Sequence, residues 1–226
     1  MATPGQPAEA ALRVQGVVMR LPGLERPVLD GADLVVAPGQ SVGILGANGA
    51  GKTTFLRVVA GLLAPDAGTV ALGALALADD ERAYHRRVAL LSADGGLYAR
   101  LSVRRHLAWW AAMAFVPPDR RAPSIAAEVE AFALDELLDR RVERLSAGQR
   151  QRVRLAMAFL PAPDLVLLDE PESRLDEDAL ELVGRRMAAH AAAGGITAWA
   201  APEGRAPDLP ADALVVLRDG RLEARA

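Results

Sequence analysis

Gly46-Ala47-Asn48-Gly49-Ala50-Gly51-Lys52-Thr53 spells G-x-x-x-x-G-K-T, and residues of these types at this spacing can hold a chain of phosphates. The glycines let the backbone curl until successive N–H groups point inward at anionic oxygens. Lys52 adds a mobile full charge for the β- and γ-phosphates, and Thr53 offers a hydroxyl to Mg²⁺. Of 26 Lys plus Arg, Lys52 is the only lysine, which leaves 25 arginines. A sequence that uses arginine for every other cation places a compact ammonium on a flexible stem here, where a planar fork suits the loop less well. A second chemical group is the carboxylate pair Asp169-Glu170. Asp169 is placed to bind Mg²⁺, often through its water, and Glu170 to polarise an attacking water as general base. A third is Ser146-Ala147-Gly148-Gln149, a serine-glycine turn opening a helix, which is also an anion-binding geometry. Two such helix starts are hard to use on one nucleotide within one chain. The second makes sense facing the nucleotide of another subunit.

These groups need particular elements to position them. Ser41–Leu45 is an apolar, β-branched run of strand length ahead of the glycines, and 54–63 follows with apolar residues at helical spacing. That strand–loop–helix context is what a phosphate-binding loop requires. Leu165–Leu168 is four apolar residues ending in the carboxylate pair, so Asp169 and Glu170 fall at a strand's C-terminal end, where open α/β sheets bind ligands. Further strands are expected at 12–18, 32–36, 68–72, 87–91, 196–199 and 213–218, with a hairpin turn at Asp219-Gly220. Helices are expected from 146 to 160 and from 176 to 193. The stretch 102–138 reads as helical, broken at Pro117-Pro118 and at Pro123, with Ser124 as a helix start. Strands alternating with helices imply an α/β fold with a largely parallel sheet covered on both faces. Residues 1–10, with Pro4, Gly5 and Pro7, read as a loose leader. Asp79-Asp80-Glu81 reads as a solvated charge run, and His85, His106 and His190 as solvated or packing histidines.

Bulk properties narrow the function. A net charge of −3 argues against strong attraction to nucleic acid, so no nucleic-acid partner is expected. The absence of cysteine excludes disulfides and thiolate metal sites, and with no secretory apolar region a cytoplasmic address is the simplest expectation. No apolar run approaches the roughly 20 residues of a membrane span, so any membrane link must come through a partner.

The P-loop, Leu145-Ser146-Ala147-Gly148-Gln149 ahead of Arg150-Gln151-Arg152, the strand ending Asp169-Glu170-Pro171, and Leu175-Asp176 beyond it together resemble the nucleotide-binding domain of an ABC-type ATPase. The resemblance spans about residues 11–226. It implies a RecA-like P-loop core (11–92 and 146–226) with a mostly parallel sheet, an antiparallel β edge, and an inserted α-helical subdomain (93–145). It also implies a head-to-tail dimer with two ATPs between subunits. Each ATP, with Mg²⁺ on Thr53 and Asp169, would meet Gly46, Ala47, Asn48, Gly49, Ala50, Gly51, Lys52, Thr53 and Thr54 of one chain. Ser146, Ala147, Gly148 and Gln149 of the other chain would close over it, and Asp176 would lie in the loop crossing the interface. The function so implied is the energy-coupling subunit of a membrane transporter, an exporter, bound to separate integral membrane chains on the inner face of the cell membrane. In this family the helical subdomain docks a helix of that membrane partner, which gives Trp109-Trp110 a candidate role beside local packing. The Leu-Ser-Ala-Gly-Gln form and Tyr84-His85 also resemble haem-exporter ATPase subunits.

Departures from the family pattern shape the expectation. Its adenine-stacking aromatic aligns with Leu21, and base stacking is worth about 1–3 kcal/mol. The glutamine that touches Mg²⁺ and water aligns with Ala93, and Asp94 either replaces it or is a turn aspartate. The histidine that contacts the γ-phosphate aligns with Ala201, and loss of such a donor costs about 2.7–4 kcal/mol. Arg174 stands where the family has a small residue or glycine. The implied picture is an enzyme with weak intrinsic hydrolysis at its own site, completing a stronger site on a second ABC ATPase chain, with a heterodimer favoured over a homodimer. The alternatives are a non-hydrolysing or regulatory ATP-binding subunit and a soluble ABC ATPase outside transport.

Overall fold

The computed structural model describes residues 11–92 and 96–225. The leader 1–10, and the Ala93 and Asp94 positions weighed above, lie outside the described residues. Two sheets organise the chain. Strands β1 (Leu12–Met19), β2 (Leu29–Val36), β4 (Ala67–Leu72) and β5 (Leu75–Ala76) form an antiparallel sheet in the order β2-β1-β4-β5. The second sheet is β10-β9-β3-β8-β7-β6, built from β3 (Ser41–Gly46), β6 (Val88–Leu91), β7 (Leu165–Asp169), β8 (Ile196–Pro202), β9 (Ala213–Arg218) and β10 (Arg221–Ala224). It is parallel except for β10, which returns along β9 through the expected turn, with Asp219 and Gly220 both at positive φ. The expected antiparallel part is a separate four-stranded sheet.

Strand alternation assigns each side chain to a layer. Val42, Ile44, Leu165, Leu167, Ile196 and Ala198 point to one face and pack with the antiparallel sheet and helix α1 (Lys52–Val59). Leu45, Val166, Leu168, Trp199 and Ala201 point to the other. That face is covered by α3 (Val103–Met113), α4 (Pro118–Ala131), α5 (Ala147–Phe159) and α6 (Glu177–Ala192). The short α2 (Glu81–His85) leads into β6. Gly43 is required where the Trp199 ring crosses β3, because a Cβ there would lie 2.6 Å from the ring and from Leu214.

Three local expectations need correcting. Helix α4 runs from Pro118 through Pro123, so Pro123 does not break it and Ser124 does not start it. Proline at the first helical position is favoured, and Pro123 removes only the bond to the Asp119 carbonyl, on an exposed turn that water can reach. Helix α1 stops at Val59 rather than running to 63, because Gly61 takes φ 76° and the Leu62 N–H donates back to the Arg57 carbonyl at 2.8 Å. Asp80 is more than a solvated charge, since its side chain accepts from the Ala83 N–H at 2.9 Å and caps α2. The reading of His106 and His190 as packing residues agrees with their burial, and burial pushes the pKa of each down.

Helices α4 and α6 are tied by one buried ion pair. Arg186 grips both oxygens of Glu128 at 2.7–3.1 Å, and its guanidinium lies 4.5 Å from the centre of the Phe159 ring. Burial holds the Glu128 carboxyl above its ordinary pKa in spite of that partner.

Candidate nucleotide-binding site

Strand β3 ends at Gly46 and α1 begins at Lys52, so residues 47–51 form a tight loop between them. Gly51 caps α1 at φ 100° with no side chain bonded to the first-turn amides. Those N–H groups and the helix dipole are therefore free to meet an anion. Close packing fixes two of the glycines: a Cβ on Gly46 would sit 2.9 Å from the Leu217 carbonyl, and one on Gly51 would sit 2.6 Å from Val28. Lys52 is buried, and its ammonium donates to the carbonyls of Gly46 and Ala47, both at 2.9 Å. An ammonium has three protons, so one more can be given to a phosphate oxygen. Ala47, Asn48 and Gly49 are exposed, which leaves the loop open to ligand.

Strand β7 lies two places from β3, and it delivers Asp169 to the start of α1. Thr53 Oγ1 donates to Asp169 Oδ2 at 2.8 Å. A hydroxyl and a carboxylate converging in this way are the hard oxygen donors Mg²⁺ prefers, with phosphates and waters completing its shell. The residues present therefore fit that ion. Burial pushes the Asp169 pKa up, the Thr53 hydrogen bond pulls it down, and the neighbouring Glu170 pushes it up again. Glu170 sits in the left-handed region at φ 50°, its N–H bonded to the Ala200 carbonyl at 2.9 Å. Backbone strain of this sort clusters at functional sites.

One acidic residue escaped the sequence reading. Glu172 has a buried Oε2 with no hydrogen-bond partner, and its pKa is pushed up to about 7. Burial is the main cause; Glu170 and Asp169 add to it and Lys52 opposes it. Three carboxylates within four residues at a strand end were the available signal.

Ser146 caps α5 in a reciprocal box: its hydroxyl accepts from the Gln149 N–H at 3.1 Å, and the Gln149 side chain accepts from the Ser146 N–H at 2.9 Å. Gly148 is packed so closely that a Cβ would lie 2.7 Å from the Arg174 carbonyl. Asp176 caps α6 by accepting from the Ala179 N–H at 2.9 Å. A cavity of about 550 Å³ brings Ala147, Arg150, Gln151, Asp169, Glu170 and Arg174 together, and none of residues 46–54 lines it. Within one chain, then, the start of α5 reaches the carboxylates but not the P-loop. Leu21 is half-buried against the core of the antiparallel sheet, and Ala201 is buried on β8 beside Leu45.

A glycine-rich loop between strand and helix, with its lysine and an aspartate from a neighbouring parallel strand, defines a P-loop nucleotide-binding α/β protein. Comparison with known proteins is more specific. The ABC transporter family matches residues 29–173, and this chain belongs to that family. It is 37% identical over 217 residues to the Fe(3+) ions import ATP-binding protein FbpC 2 of Rhodococcus jostii, covering 94% of this chain and 61% of that relative. It is 38% identical over 169 residues to the cytochrome c biogenesis ATP-binding export protein CcmA of Ruegeria pomeroyi, covering 75% of this chain and 74% of that relative. A solved structure of an ATP binding subunit of an ABC transporter superposes with a TM-score of 0.85 at 27% identity, over 95% of this chain and 89% of that one. The chain thus spans about three fifths of the length of the Fe(3+) import relative.

Proposed function

We propose that this chain binds MgATP on residues 46–54, hydrolyses it slowly, and energises transport across a membrane by separate membrane-spanning subunits. The observation that carries the reading is the Thr53–Asp169 junction, which joins the P-loop to the carboxylate strand. In this reading Lys52 gives its remaining proton to an oxygen of the β- or γ-phosphate. Mg²⁺ held by Thr53 and Asp169 would neutralise charge developing on the transferred phosphoryl group. Glu170 accepts a proton from the water that attacks the γ-phosphorus. Ala201 supplies no donor to the γ-phosphate, which supports a low intrinsic rate.

The same proposal has two chains meeting head to tail, unlike chains being favoured, so that Ser146, Gly148 and Gln149 of one approach the nucleotide of the other. The separation of the α5 start from residues 46–54 supports this, because one chain does not bring the two together. Residues 93–145 then act as the helical subdomain that meets the membrane partner. Its support is a groove of about 1170 Å³ between that region and β6, walled by Trp109, Trp110, Met113 and Phe115. Trp110 is anchored by donating to the Met157 carbonyl at 2.7 Å, while Trp109, Met113 and Phe115 remain exposed. No helix among the described residues is long and apolar enough to cross a membrane, so attachment through a partner at the inner face fits the chain. The export direction draws support from the export relative, of which this chain covers 74%.

The test is a pair of variants and one purification. Lys52→Ala should lower MgATP affinity at least tenfold, and Glu170→Gln should keep binding while stopping phosphate release. Purification in mild detergent should recover membrane-spanning chains, and Trp109→Ala should lose them. Ordinary family hydrolysis rates from the chain alone would defeat the slow-site reading. Nucleotide affinity unchanged in Lys52→Ala would defeat the whole of it.

A further inference from the structure

Two cavities of this molecule share a wall. The cavity of about 550 Å³ beside Asp169 and Glu170 and the groove of about 1170 Å³ beside Trp109 and Trp110 are both lined by Ser92, Leu97 and Arg154. Arg154 is half-buried in that wall and fixed on two sides. Its Nη2 donates to the Ser92 carbonyl just past β6 at 2.8 Å, and its Nη1 donates to Gln151 Oε1 at 3.4 Å. Gln151 is buried, and the other end of its amide donates from Nε2 to the Pro171 carbonyl at 3.2 Å.

Pro171 directly follows Glu170, whose N–H is itself held by the Ala200 carbonyl at 2.9 Å. On the groove side, the Met157 carbonyl accepts from Trp110 Nε1 at 2.7 Å. Gln151, Arg154 and Met157 are spaced three apart along α5, so they stand along one side of that helix. A continuous line of contacts thus leads from the tryptophans, along α5, to the turn that carries Glu170. An arginine suits the middle of that line, because its planar fork donates in two fixed directions at once. Movement of the Ser92 end shifts Arg154, and through Gln151 it reaches Pro171. A misplacement of about 1 Å is enough to cost a reacting geometry on the order of 10²-fold in rate. The phosphate loop stands apart from this line, since none of residues 46–54 lines either cavity.

We propose that Arg154 is a positioning residue that holds the Glu170–Pro171 turn in register with the tryptophan groove, so that events at the groove and at the nucleotide site shift one another. The inference rests on the nucleotide-binding function proposed above. Coupling between two sites is reciprocal, so bound nucleotide should be felt at the groove when no partner is present.

The experiment follows acrylamide quenching of tryptophan fluorescence in the full chain as MgATP is added, with MgATP affinity and thermal midpoint measured alongside. Trp199 is buried and Trp109 exposed, so quenching reports mainly the groove. MgATP should change the quenching of wild type. In Arg154→Met that change should be lost while MgATP affinity holds within about threefold, under about 1 kcal/mol. Arg154→Lys keeps a donor for the Ser92 carbonyl and should recover part of the response. Gln151→Met cuts the same line elsewhere and should lose it equally, and the double variant should be no worse than either single one. The inference is overturned if wild type binds MgATP with no change at the groove, or if Arg154→Met responds as wild type does. It is also overturned if Arg154→Met loses MgATP affinity in step with the response. Each of these leaves the parent function standing, whereas a wild-type chain that binds no MgATP overturns both.

Discussion

Glu172→Gln isolates the energetic cost of the carboxylate cluster. In the folded chain this carboxyl titrates at about 7 against an ordinary value of 4.5. One pKa unit is 1.36 kcal/mol, so the shift corresponds to about 3 kcal/mol. The sign follows from proton counting. Between 4.5 and 7 the native state holds a proton that the unfolded state has lost, so wild-type stability falls as pH rises through this window. Above about pH 7 both states are ionised and the full penalty stands. Below about pH 4.5 both are neutral and it vanishes. Glutamine keeps the shape without the ionisation, so the variant should exceed wild type by about 3 kcal/mol at pH 8.5 and by under about 1 kcal/mol at pH 5. Urea unfolding of both proteins at a series of pH values, in chelator and without nucleotide, reads the difference directly. Shifts common to both proteins cancel. In a chain of this length the gap at high pH is about 6–12 °C in melting temperature. A difference that is flat with pH, or that grows toward acid, refutes the argument that burial beside Asp169 and Glu170 sets this group.

Breaking the buried pair between α4 and α6 with Glu128→Ala should cost about 3–5 kcal/mol, because Arg186 is left charged and unpaired; denaturant midpoints check it, and a cost below 1 kcal/mol counts against it. Gly43→Ala drives a Cβ into the Trp199 ring and should destabilise by about 1–3 kcal/mol, with a shift in tryptophan fluorescence. Gly148→Ala meets a backbone carbonyl at 2.7 Å, so the Arg174 turn must move, and nucleotide-dependent association should fall even where the thermal midpoint changes little. Lys52→Ala removes the donor from the Gly46 and Ala47 carbonyls and should lower MgATP affinity at least tenfold, measured by titration calorimetry.

The P-loop was readable from the chain because its chemistry is local: glycines, a lysine and a threonine act within eight consecutive residues, and the flanking strand and helix carry their own periodicity. Layering was readable for a similar reason, since alternation along Leu165–Leu168 sends neighbours to opposite faces of one sheet. Pro123 misled because a proline's cost depends on where its lost hydrogen bond would have pointed, and here that carbonyl faces water. The 116-residue gap between Thr53 and Asp169 closes to 2.8 Å only because β7 and β3 share a sheet with β8 between them. The pKa of Glu172 likewise depends on what surrounds it, and so does the cavity that Arg174 shares with Asp169 and Glu170. Sequence determined which groups can do chemistry, because residue type and short-range spacing carry that information. Tertiary structure decided which of them share a cavity and how strongly they perturb one another, because burial and distance between remote segments exist only once the chain has folded.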